Sequence, residues 1–169
     1  MIRKFLLILF VWSFAINAKA QQEQEEASLK AVFIYNFTKY IDWENVGNDF
    51  IIGIIGSSPI EPALNEIAKS NTIKNKRIII RHYTRPEDIR TCQILFIAKK
   101  SSYSLPSILN EVGRGMLTVS EEDGYSKQGT AFNFVIINDK LKFEANLKAI
   151  DDAGLKASSQ LLKLAIIVN

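Results

Sequence analysis

Hydrophobic positions set the outline of this chain. Leu29, Val32, Phe33, Asn36, Phe37 and Tyr40 recur at helical spacing and predict a helix from Ala27 to about Ile41. Ala31, Ile34, Tyr35 and Ile41 lie half a turn away and are not polar either. A helix apolar on two sides is buried twice, once in its own domain and once there or against a partner. The polar stretch 21–26 ahead of it reads as a flexible arm.

Phe50 to Gly56 is a short, nearly continuous apolar run, the pattern of a strand covered on both faces. Gly56-Ser57-Ser58-Pro59 then reads as a turn, with Ser58 as N-cap and Pro59 at the first position of a helix running to about Lys69. Further strands are predicted at Arg77 to Tyr83, Gln93 to Ala98 and Gly115 to Ser120, and a helix at Ser104 to Val112. Ala131 to Ile137 and Leu141 to Ala145, joined through Asn138-Asp139, form a hairpin signature. Asn146 to Ala153 and Ser158 to Ile167 read as two closing helices, separated by Gly154 as a C-cap. Strands alternating with helices imply an α/β domain: a three-layer sandwich, Rossmann-like, its sheet mostly parallel with an antiparallel edge hairpin.

The segment ahead of this domain changes where it works. Arg3 and Lys4, an apolar-rich run from Phe5 to Ile16, and Ala18-Lys19-Ala20 follow the order of a secretory leader cut after Ala20. The run is shorter than the ~20 residues a membrane-spanning helix needs, so the mature protein does not span the bilayer. Cleavage leaves one domain over 27–169 behind the arm. The leader takes Arg3, Lys4 and Lys19 with it, so the 21 basic and 18 acidic residues of the whole chain become balanced. That removes the main support for nucleic-acid binding.

Candidate chemistry is sparse. His82 is the one histidine, which leaves little material for a metal cluster or a Ser-His-Asp triad. Cys92 is the one cysteine and precedes the apolar run Ile94 to Ile97, the setting of a buried, inert thiol. No catalytic, metal-binding or cofactor-binding set is predicted. The turn at Ser57 and Ser58 and the helix start at Ser158 and Ser159 offer main-chain N–H groups to an anion. Asn36 and Asn146 are read as structural polar residues, Asn146 and Ser158 as N-caps.

Several blocks carry a resemblance. Leu29 to Trp43, Phe50 to Gly56, Cys92 to Ile97, and Leu117 to Ser120 with Gly124, Tyr125 and Gly129 are similar to successive blocks of the YfiR/HmsC-like family. Phe143-Glu144-Ala145-Asn146-Leu147 and Ala153 to Ala165 are the most specific matches. The resemblance implies a periplasmic, non-enzymatic regulator that tends to form homodimers. It would bind and inhibit the sensor region of an inner-membrane signalling protein, a diguanylate cyclase, and so lower cyclic-di-GMP and biofilm formation. Some members carry disulfides; Cys92 matches a cysteine position of the family but has no second cysteine to pair with, which rules out an internal bridge. Ile34, Tyr35, Tyr40, Trp43, Leu161 and Leu164, on the opening and closing helices, are the residues expected to build the partner or dimer surface. The alternative is a receptor for a small anion or metabolite, acting with a membrane histidine kinase.

Overall fold

The computed structural model describes residues 21–43 and 46–168. The leader and its cut site lie outside the described residues. Helix α1 occupies 21–37, so the expected arm is helical rather than frayed. After it come β1 (Ile41–Asp42), β2 (Asp49–Ile55), α2 (Ile60–Ser70), β3 (Thr72–Ile73) and β4 (Lys76–Tyr83). A 3-10 turn (Pro86–Asp88), β5 (Ile94–Ile97), α3 (Leu105–Leu109), β6 (Leu117–Ser120), β7 (Phe132–Ile137) and β8 (Lys140–Asn146) follow. The chain closes with α4 (Leu147–Asp152), β9 (Lys156–Ala157), α5 (Ser159–Leu162) and β10 (Ile166–Val168).

Eight strands form one sheet in the order β10-β8-β7-β6-β5-β2-β4-β3. Its pairs are parallel except β7 with β8 and β3 with β4. The fold is thus a three-layer α/β sandwich on a mostly parallel sheet. The hairpin, however, sits one strand inside the edge, because β10 adds to β8 in parallel beyond it. That segment was expected to be helix. Helix α5 ends at Leu162, and Ile166, Ile167 and Val168 extend because β-branched side chains suit a pleated edge better than a helix end.

Strand β2 shows how the layers are made. Phe50, Ile52 and Ile54 join Ala31, Ile34 and Phe37 of α1 and Ile60 and Leu64 of α2 in one core. Ile55, on the other face, packs with Leu105 and Ile108 of α3, Tyr83 and Cys92. Gly53 lies between, where a Cβ would come 2.6 Å from the Tyr83 ring. Five phenylalanines hold α1 on its face: Phe37 lies 4.8 Å from Phe132 and 5.0 Å from Phe143, and Phe33 6.0 Å from Phe134, ring centre to ring centre.

Over β6 to β8 the second face is covered by loop 121–130 instead of a helix, and the contacts are polar. The Ser120 hydroxyl lies 2.8 Å from that of Thr130 and donates to Asn133 Oδ1 at 2.7 Å. Ser126 Oγ donates to the Glu144 carboxylate, which also accepts from Asn133 Nδ2 at 3.3 Å. Among the described residues every buried side-chain polar atom has a partner. The network is therefore fully satisfied, as a buried polar layer must be to be tolerated.

Candidate functional site

Helix α1, for which the sequence predicts two apolar sides, has one of them buried and one open. Its inner side is Ala27, Ala31, Ile34 and Phe37, all nearly inaccessible. Its outer side carries Leu29 and Val32, each 45% exposed. This inverts the expectation for Ile34, which is core and cannot meet a partner. Trp43 and Leu161 are also interior, not surface. Trp43 stands edge-on to Phe50 and donates its indole N–H to the Gln93 carbonyl at 3.2 Å. Leu161 fills the core from the short helix α5. Tyr35 is half-buried, with Lys39 Nζ 4.7 Å from its ring centre. Tyr40 and Leu164 are exposed, Leu164 by 72%. The six residues thus do not form one surface; the outward apolar side chains of the described residues are Leu29, Val32, Tyr40 and Leu164, together with Ile136, Ile137, Leu147 and Ile167.

The position of α1 is fixed by charge as well as by rings. Lys30 lies on its inner side, with Nζ 2.6 Å from Glu26 Oε1 and 2.7 Å from Glu121 Oε2 at the end of β6. Burial pulls the Lys30 ammonium down, but the bonds to Glu121 and Glu26 outweigh it and hold it above its ordinary range. The other Glu121 oxygen accepts from Lys99 N at 3.1 Å, so the latch reaches the end of β5 as well. Sequence reading missed this pair. Its one signal was Lys30 standing in phase with Ala27, Ala31 and Ile34, with Glu26 four residues before it.

The latch floors a crevice of about 400 Å³ at the carboxyl ends of the parallel strands, where open α/β sheets bind ligands. Ser57, Ser58, Lys99 and Lys100 line it, facing Ile136 and Leu141 of the hairpin. Ser57 and Ser58 therefore do stand beside two lysines. Yet Ser57 N is committed to Lys100 O, and Ser58 Oγ accepts from Ile60 N only at 3.4 Å, ahead of a helix that begins at Ile60 rather than Pro59. Lys30, Lys99 and Lys100 are matched there by Glu23, Glu26, Glu121 and Asp123, so the crevice has no surplus of positive charge for an anion. Ser158 is elsewhere. It caps α5, accepting from Leu161 N at 3.2 Å, and its own N–H is taken by Tyr40 O; Ser159 is exposed on that four-residue helix.

The remaining residues singled out by sequence are structural. Asn146 caps α4 through Ala149 N at 2.9 Å. Asn36 is half-exposed and bonds Lys39 Nζ at 3.0 Å. Cys92 is buried beside Gly53, and burial pushes its thiol up to about 12, far from the thiolate a nucleophile needs. His82 lies 3.0 Å from Glu61 on the outside of β4 and α2. Among the described residues no cluster of His, Cys, Asp and Glu could hold a metal ion, and no helix is long and apolar enough to cross a membrane.

These residues form a scaffold with an open helix face. A family model described as YfiR/HmsC-like matches residues 27–166, from the second turn of α1 into β10.

Proposed function

Because this chain belongs to the YfiR/HmsC-like family, periplasmic regulators of diguanylate cyclases, we propose that it is a non-catalytic protein that binds the sensor region of one inner-membrane diguanylate cyclase and restrains it. The match over 27–166 carries the proposal. Exposed Leu29 and Val32 on a helix pinned by rings and a buried ion pair support α1 as the docking element, since two apolar anchors on a rigid face lose little freedom on binding. Binding the inactive arrangement of the sensor region would shift the cyclase toward that state, and release would reverse it. A clean deletion in the native host tests this. Cyclic-di-GMP and surface attachment should rise and return to normal when the wild-type gene is restored. Unchanged cyclic-di-GMP in the deletion would refute the proposal.

A further inference from the structure

At the opposite end of the sheet from the crevice, a cavity of about 510 Å³ opens between the turn before β6, loop 121–130 and α4. Its charges come from three separate segments: Arg114, Lys127 and Lys148. Asp152 is the one carboxylate lining it and is paired with Lys148 at 2.6 Å. Arg114 and Lys127 have no ion-pair partner among the described residues, so two cations face the cavity uncompensated.

Two features show that this arrangement is built. Gly115 N donates to Ala153 O at 2.7 Å, which fixes the Arg114 turn against the end of α4. Gly154, in left-handed backbone at φ 70°, has no side chain where Arg114 lies; a Cβ there would come 2.5 Å from Arg114 Nη2. The floor contains Thr118, 4% exposed, whose Oγ1 accepts from Ala131 N at 2.8 Å. Its hydroxyl hydrogen is taken by no acceptor among the described residues, so a donor remains uncommitted in the cavity wall. Leu109, Val112 and Met116 supply an apolar side.

We propose that this cavity binds a small molecule carrying one oxyanion, a carboxylate or a phosphate, on an apolar body. Arg114 and Lys127 hold the oxyanion, Thr118 donates to it, and the apolar body lies on Leu109, Val112 and Met116.

Calorimetric titration of the purified protein tests it with four probes of one shape: benzoate, phenyl phosphate, neutral benzyl alcohol and cationic benzylamine. Concentrations reach about 10 mM, where a millimolar ligand is close to saturation. Benzoate or phenyl phosphate should bind, the tighter of them identifying the oxyanion, and the alcohol and amine should not. Arg114→Gln and Lys127→Gln should each weaken binding roughly tenfold, the scale of a lost charge-assisted bond. Lys140→Gln, on the distant hairpin, should leave it unchanged. All three sites are exposed, so the variants fold. No binding by either anion, equal binding of benzyl alcohol, or full affinity in the Arg114 and Lys127 variants would overturn the assignment.

Discussion

Asn146 Nδ2 donates to the main-chain carbonyl of Ser126 at 2.7 Å, while its Oδ1 accepts from Ala149 N at 2.9 Å. One buried amide therefore starts α4 and fastens loop 121–130 across the second face of the sheet. The neighbouring Glu144 holds the same loop through Ser126 Oγ. This gives a physical reason for the Glu144-Ala145-Asn146 block: its polar members hold a loop where most sandwiches of this kind place a helix.

Asn146→Ala should consequently cost more than a cap. Loss of the cap is worth ~1 kcal/mol. The Ser126 carbonyl left without its donor adds about 1–2 kcal/mol. Asn146→Ser keeps a capping oxygen but cannot reach Ser126, and should recover only the first part. Urea unfolding measures both, and limited proteolysis should show cleavage within 121–130 in the Ala variant. A loss under about 1 kcal/mol for Asn146→Ala would mean the loop is held by other contacts.

The two sides of α1 should respond oppositely to substitution. Ile34→Ala removes a fully buried side chain from the main core and should cost about 2–5 kcal/mol, read from the unfolding midpoint. Val32→Ser, at a half-exposed position, should change stability by no more than about 0.5 kcal/mol. If α1 is the docking element, Val32→Ser and Leu29→Ser still raise cyclic-di-GMP toward the deletion level. Normal cyclic-di-GMP with both substitutions combined would remove α1 from the interface.

Much of this was legible in the sequence, and the failures have physical causes. Strand β2, helix α2 and the β7–β8 hairpin lie where period and turn residues put them, because apolar runs bounded by Gly, Pro and Asn-Asp are local signals. The inner side of α1 was not legible. With apolar residues on two sides, its orientation depends on Phe132, Phe134 and Phe143, about a hundred residues away. Lys30 was hidden for the same reason, since its partner Glu121 is distant in sequence. The end of the chain misled because Leu161, Leu162 and Leu164 are spaced for a helix, whereas β8 offers a free edge that Ile166 to Val168 extend to fill.

Glu121→Gln should loosen α1. It leaves the Lys30 ammonium buried with Glu26 alone, and should cost on the order of 2–3 kcal/mol, less than a buried pair with no second carboxylate. Lys30→Met with Glu121→Gln should be more stable than Glu121→Gln alone, because no uncompensated charge remains. Thermal unfolding of the three proteins decides it. A double variant less stable than Glu121→Gln would show that Glu26 alone compensates the buried Lys30 charge.

Alkaline pH should weaken the fold in two stages. Burial raises the Cys92 thiol from its ordinary 9.0 to about 12, while the Gly53 main chain, Arg81 and Tyr83 pull it the other way. A folded value above the unfolded one means that the folded state keeps a proton the unfolded chain releases. The resulting stability is complete below pH 9 and is lost as the pH climbs toward about 12, with a slope near 1.4 kcal/mol per pH unit for one proton. Lys30 is also raised, above 10.5, so its loss begins later. Between pH 9.0 and 10.5 the difference between wild type and Cys92→Ala should therefore isolate the thiol. The variant loses packing at neutral pH, which offsets its curve without tilting it. Urea unfolding at intervals across that range should give a flatter decline for Cys92→Ala by about one proton's slope. Parallel curves would place the thiol in contact with water, and rapid alkylation of the folded protein at pH 8 would say the same.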